Sequence, residues 1–168
     1  YSKIIVLVDE NTKILLTKLK PILGEKFYLI KIKSGENKKN LTTCETIWNE
    51  LTEKNIDRNG LLINLGGGVI TDMGGFVAST YRRGIQFINI PTTLLSMVDA
   101  SVGGKTGVNH AEGKNLVGAI HQPHALLCDP SLLGDLPQRD RISGLGEMLK
   151  YGLIAKAEFW EELTQEKN

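Results

Sequence analysis

Unbroken runs of β-branched residues and leucine alternate along this chain with segments of helical spacing. Residues 3–9, KIIVLVD, are continuously apolar up to a closing acid, the pattern of a strand buried on both faces of a parallel sheet. Residues 27–32 (FYLIKI) and 61–65 (LLINL) read the same way. Between them, Leu41, Ile47, Trp48 and Leu51 recur near the helical period within residues 41–54, and Thr42 or Thr43 is placed to cap that helix. Strand, helix, strand is the βαβ alternation of an α/β domain. Further strands are expected at 85–90 (IQFINI), stopped by Pro91, and at 125–129 (ALLCD), which leaves the sheet at Asp129 and Pro130. From about residue 138 the pattern changes, and QRDRISGLGEMLKYGLIAKAEFWEEL predicts one helix or two in succession.

Composition narrows the function classes. With 41% hydrophobic and 23% charged residues, the chain of 168 residues can bury a normal core and has nothing of the low-hydrophobicity signature of disorder. Twenty basic against nineteen acidic residues leave a formal charge of +1, so no general field recruits nucleic acid or an anionic membrane. Any anion site must be local. Cys44 and Cys128 form no CxxC pair, which fits a reducing, cytoplasmic setting. The start, YSKIIVLVDENTK, lacks the cationic head and cleavage site of a signal peptide, and no segment approaches the roughly 20 apolar residues of a membrane span.

Glycine is distributed unevenly, 15 of the 18 lying between Gly66 and Gly152. In LLINLGGGVITDMGGF, three glycines follow a buried strand and precede a helix-like segment, an arrangement that suits either phosphate binding by backbone N–H groups or a structural tight turn. It is not the GxGxxG fingerprint, and it follows the third strand rather than the first. Asp9 at a strand end, and Glu36 with Lys39 in SGENKK, are candidates for ribose and adenine hydroxyls or are simply solvated. Residues 98–123, VDASVGGKTGVNHAEGKNLVGAIHQP, are too glycine-rich for a helix and too polar for a core strand. Arg83, Lys105 and Lys114 each sit beside a glycine, and Lys150 completes a set of four cations. In GGKTG and EGKN the missing side-chain bulk lets a phosphate or carboxylate reach the ammonium. Asp99, inside the otherwise apolar LLSMVDASV, calls for a partner.

GGGVITD, FINIPTTLLSMVDASVGGKTGVN, EGKNLVGAIHQP and DLPQRDRISGLGEMLKYG together resemble the sequence blocks of the 3-dehydroquinate synthase family, in family order from about residue 34 to 152. The resemblance implies an α/β fold, a Rossmann-like parallel sheet with flanking helices over residues 1–140, followed by the first helices of a truncated, metal-binding helical domain over 141–168. It assigns NAD contacts to Asp9, Asn11, Glu36, Lys39, Gly66, Gly67, Gly68, Asp72, Thr92, Thr93, Lys105 and Lys114. It gives Arg83, Lys105, Lys114, Asn115 and Lys150 to the phosphate, carboxylate and hydroxyls of a sugar-acid phosphate, with Asp99 orienting them or relaying protons. Glu147 matches the carboxylate ligand of zinc (or cobalt); the family's other two ligands are histidines beyond residue 168. His110, His121 and His124 match neither of them, and His121 and His124 flank Pro123 and so cannot share a helical face.

The implied reaction converts 3-deoxy-arabino-heptulosonate 7-phosphate to 3-dehydroquinate, with NAD as a catalytic oxidant and loss of phosphate, in the shikimate pathway. The expected enzyme is a cytoplasmic homodimer acting on a small molecule, with no nucleic acid and no membrane, and this chain alone is expected to be inactive. Thr71 stands where the family commonly has glycine, and Asp135 where it has threonine. A related sugar-phosphate cyclase, a polyol dehydrogenase of the same fold, and a non-catalytic NAD-binding module are the alternatives.

Overall fold

The apolar runs do lie side by side. In the computed structural model, which describes residues 1–24, 26–155 and 157–165, the strands are β1 (Ile4–Asp9), β2 (Tyr28–Ile32), β3 (Leu61–Gly66), β4 (Gln86–Pro91), β5 (Lys105–His110), β6 (Gly113–Ile120) and β7 (Ala125–Leu126). The helices are α1 (Leu16–Leu23), α2 (Leu41–Glu53), α3 (Gly68–Thr80), α4 (Gln138–Ile154) and α5 (Ala157–Thr164). Five strands form a parallel sheet in the order β2-β1-β3-β4-β7, while β5 and β6 pair antiparallel as a separate hairpin.

The unbroken apolar character of β1 follows from the period of a strand. Ile5 and Leu7 point into the core that Ile30, Ile47, Leu62, Ile70 and Phe87 share. Val6 and Val8 point the other way, into a second core with Leu16, Ile63, Leu65 and Ile90. Both faces are covered along residues 5–8, so these four positions are all apolar and only the strand's end at Asp9 is polar, and each fully buried aliphatic side chain contributes about 1.5 to 3 kcal/mol.

Several expectations are corrected. The cap of α2 is Asn40, not Thr42 or Thr43: its side chain accepts from the Thr43 amide at 2.9 Å. The strand expected at 125–129 is only Ala125–Leu126. α1, which contains Pro21, goes beyond the elements the pattern predicts. The C-terminal segment agrees with expectation, forming two helices in succession, α4 and α5. Within the glycine-rich stretch Lys105–His110 and Gly113–Ile120 form a hairpin, and His110 ends its first strand. Glycine makes that hairpin possible: Gly107 and Gly118 are register partners, and a Cβ on Gly118 would collide with the Thr106 carbonyl. α4 lies against the chain after β4 because Gly144 is bare, a Cβ there falling 2.6 Å from that of Leu94.

Candidate active site

The strand order reverses direction between β1 and β3, and open α/β sheets bind ligands at the carboxyl ends of strands beside such a point. Asp9, Gly66 and Thr92 all lie at that edge. Asp9 spends Oδ1 on its own turn, accepting from the amides of Asn11 at 2.9 Å and Thr12 at 2.8 Å, and Asn11 is exposed. Gly67 begins α3 without a side-chain cap, so the first turn presents its N–H groups unscreened. Packing requires the bareness of Gly66, where a Cβ would fall 2.6 Å from Ile70, but not that of Gly68, where it would make ordinary contact at 3.4 Å with Ala100. Thr71 is buried and directs its hydroxyl to the carbonyls of Gly67 at 3.4 Å and Gly68 at 3.3 Å, bracing the loop from inside the helix. Thr92 is buried and its amide donates to the Gly66 carbonyl at 3.0 Å, while the Thr93 hydroxyl pairs with Ser96 at 2.8 Å.

Next to this loop, a cleft of about 500 Å³ opens between α3, a π-helical turn at Ser96–Ala100 and the β5–β6 hairpin. Asp72, Asp99, Ala100, Lys105 and Asn115 line it. Lys39 lies buried beneath, its ammonium 2.5 Å from Asp72 Oδ2 and 2.6 Å from Asn115 Oδ1. Burial pushes the Asp72 carboxyl above its usual range, an effect the Lys39 charge and hydrogen bond partly offset. Asn115, at φ +55°, is thereby tied to the segment after β2, and Asn109 adds two more links: its amide donates to the Lys39 carbonyl at 2.9 Å and its Nδ2 to Glu36 Oε1 at 2.8 Å. Residues assigned separately to cofactor and to substrate thus belong to one hydrogen-bonded unit.

Asp99 sits half-buried on the π-helical turn, a device that re-aims side chains at functional sites. The Tyr151 hydroxyl donates to its Oδ1 at 2.9 Å, and Lys105 Nζ lies 3.6 Å from the same oxygen. That hydrogen bond holds the Tyr151 phenol above its ordinary pKa. Lys105 keeps 64% of its side chain exposed, and Lys114 is exposed on β6. Lys150 and Glu147 share a face of α4, as their spacing predicts, and are joined at 2.6 Å; this bond raises the Lys150 ammonium.

Arg83 is not brought to this cleft. At φ +66° it lines a separate groove with Arg58, His121 and His124. His121 stacks on Phe87 with centroids 5.5 Å apart, His124 meets Tyr1 edge-on, and His110 Nδ1 faces the Glu112 amide. Among the described residues no group of three or more His, Cys, Asp or Glu side chains is disposed to hold a metal ion. Asp135 is exposed. Sequence reasoning missed Tyr151 and Asn109, and the one available signal was the demand of Asp99 for a partner.

The model of the 3-dehydroquinate synthase N-terminal family matches residues 29–143, more than half of the chain. The chain belongs to the 3-dehydroquinate synthase family. Similar curated relatives are 3-dehydroquinate synthases of Prochlorococcus marinus: that of strain MIT 9312 is 47% identical over 96% of this chain and 48% of its own length, and that of strain AS9601 is 54% identical over 82% and 38%. The chain therefore spans about half the length, or less, of the relatives it matches. Among solved structures, 2-deoxy-scyllo-inosose synthase complexed with carbaglucose-6-phosphate, NAD+ and Co2+ superposes with a TM-score of 0.86 at 26% identity, over 93% of this chain and 44% of that one. The 2-epi-5-epi-valiolone synthase of Streptomyces hygroscopicus with NAD+ and Zn2+ bound gives 0.83 at 36% identity, over the same shares. Maleylacetate reductase from Agrobacterium tumefaciens, at 20% identity, a TM-score of 0.70 and 89% and 41% coverage, shares the fold alone. The parallel sheet of this chain is thus shared with those two synthases and, as a fold alone, with the more distant reductase.

Proposed function

We propose that this chain carries the NAD-binding domain and much of the substrate cleft of a 3-dehydroquinate synthase, converting 3-deoxy-arabino-heptulosonate 7-phosphate to 3-dehydroquinate with release of phosphate. The observation that carries the reading is the convergence of Asp99, Lys105 and Asn115 from three elements onto one cleft beside an uncapped glycine loop. The loop fits the pyrophosphate of a dinucleotide, with Gly66, Gly67 and Gly68 at the phosphates and Asp9, Asn11, Glu36, Asp72, Thr92 and Thr93 around it. Bound NAD supplies a hydride acceptor that the same catalytic cycle restores.

The chain's own residues do the positioning. Lys105, exposed and only 3.6 Å from Asp99, offers its ammonium to a substrate anion, and Lys114 adds a second cation from β6. Asn115 accepts from Lys39 through Oδ1 and keeps its amide Nδ2 for a substrate oxygen. Asp99 accepts a substrate hydroxyl at its second carboxylate oxygen, orienting it or taking its proton. The described residues do not assemble the donor set for zinc or cobalt, since Glu147 stands without two further ligands and is paired with Lys150; no step here runs through a metal. Residues 141–168 belong, in this proposal, to a second helical domain, and Arg83 and Lys150 are substrate contacts only if the complete enzyme closes around them. A cytoplasmic homodimer is part of the same proposal; the two free cysteines fit the reducing compartment and do not bear on the dimer. No helix among the described residues is long and apolar enough to cross a membrane.

Two measurements test this. Calorimetric titration of the chain with NAD is expected to show weak binding, and a folded sample giving no heat at millimolar NAD would refute the cofactor assignment. Phosphate release by the natural polypeptide is expected from the sugar-acid phosphate and not from a neutral sugar phosphate; the reverse preference would move the protein to the related cyclases.

A further inference from the structure

Asp72 and Asp99 both line the cleft, but Lys39 holds Asp72 whereas nothing on its own element orients Asp99. Its backbone follows a π-helical turn, the Ser101 amide bonding to the Ser96 carbonyl at 3.1 Å. Lys105 approaches only to 3.6 Å and is 64% exposed, so it attracts the carboxylate without fixing it. Among the described residues the one hydrogen bond to its carboxylate comes from elsewhere in the chain: the Tyr151 hydroxyl at 2.9 Å, from α4.

The placement of that phenol is built in. Gly144 and Tyr151 lie seven residues apart, two helical turns, and so on one face of α4. The bareness of Gly144 seats this face against Leu94, and the ring of Tyr151 then arrives over the turn that carries Asp99. Lys150 Nζ stands 5.3 Å from the centre of the same ring. With Oδ1 held, Oδ2 has no hydrogen-bond partner among the described residues and is the free acceptor of the pair.

The geometry points to Tyr151 as a positioning residue of the synthase: by donating to Asp99 Oδ1 it aims Oδ2 at the substrate hydroxyl and ties α4 in register with the cleft. This rests on the synthase reading above. Tyr151→Phe removes one oxygen and leaves the ring. In the natural polypeptide it is expected to lower kcat/KM for the sugar-acid phosphate about tenfold, the worth of one hydrogen bond to a charged group, mainly through kcat. The KM for NAD and the urea midpoint stay at wild-type values. Asp99→Asn costs more, and adding Tyr151→Phe to it costs nothing further. Unchanged kcat/KM in Tyr151→Phe, a full additional loss in the double variant, or a loss of stability and NAD affinity in step with turnover would each overturn the inference. A wild type that never releases phosphate from this substrate overturns the synthase reading itself, and that result appears before any variant is made.

Discussion

The sheet and α4 treat apolar surface in opposite ways. Ile5, Val6, Leu7 and Val8 of β1 are 0% exposed, whereas Ile142, Leu145, Leu149, Leu153 and Ile154 of α4 each leave at least 39% of their surface in water. The sheet closes its own two cores with α1, α2 and α3; α4 meets the segment after β4, Gly144 against Leu94 and Tyr151 against Asp99. Where burial is this complete, a polar side chain inside is an expensive exception and marks a purpose. Where apolar residues stand exposed in a row, the side chain contributes little to the fold that displays it.

The largest effect should come from breaking the one buried ion pair described on the sheet side. Lys39→Met leaves the Asp72 carboxylate desolvated and alone, and is expected to cost about 3 to 5 kcal/mol in chemical denaturation. Asp72 also gives a pH test. Its carboxyl is raised by burial, so the folded chain binds that proton more tightly than the unfolded chain does. Its contribution therefore disfavours the fold above the folded pKa and is relieved as pH falls through that value towards the ordinary carboxylate range. Wild-type stability relative to Asp72→Asn is expected to rise on acidification through that window; a flat difference would mean that Lys39 fully compensates the burial.

The second effect concerns binding rather than folding. Lys105→Ala should remove about 1.5 to 3 kcal/mol of sugar-acid phosphate binding, as expected for a charge-assisted hydrogen bond. Stability should change by no more than the roughly 0 to 1 kcal/mol of an exposed pair, given that the lysine is 64% exposed. Calorimetry beside a urea melt separates the two, and unchanged affinity would return Lys105 to the solvated surface.

A single chemical change then sets the two regions against each other. Gly118→Ala drives a Cβ into the Thr106 carbonyl, backbone that cannot swing aside, and should destabilise by about 1 to 3 kcal/mol while distorting the cleft wall. Gly146→Ala on α4 meets nothing within 4 Å and should stabilise, by up to about 1 kcal/mol, because alanine is the better helix former. Equal signs in thermal melts would mean that the hairpin gives way more easily than its geometry implies.

The sheet was legible because double burial writes itself as an unbroken apolar run, as in KIIVLVD and LLINL. The hairpin was not, because β6 is held by backbone ladder bonds and by glycine spacing while Lys114, Asn115 and Leu116 stand exposed, so no apolar alternation survives to be read. The cap of α2 was misplaced because Asn40, Thr42 and Thr43 are all competent cappers and only the backbone turn selects one. In the site, the need of Asp99 for a partner was visible in its apolar surroundings. The identity of that partner was not, since Tyr151 lies 52 residues away and reaches it only through tertiary packing. The same limit hid the placement of Arg83, whose glycine neighbour suggested an anion site but whose backbone turns it into another groove.

The smallest effect on stability should come from the exposed row of α4, and it is the sharpest test of the contrast. Leu153 and Ile154 are 69% and 68% exposed, so replacing both with glutamine removes almost no buried area from this fold. Stability should stay within about 0.5 kcal/mol per site, the ordinary range for surface substitutions, whereas Leu62→Ala in the sheet should cost about 2 to 5 kcal/mol. Association should respond in the opposite sense. An apolar row of this size in water favours contact with other apolar surface, so the wild-type chain is expected to self-associate as its concentration rises and the double glutamine variant to do so less. Sedimentation over a range of concentrations reads this directly. A double variant that loses several kcal/mol would show that these side chains already pack within the chain, and the division between a self-sufficient sheet and an unsatisfied helix would fail.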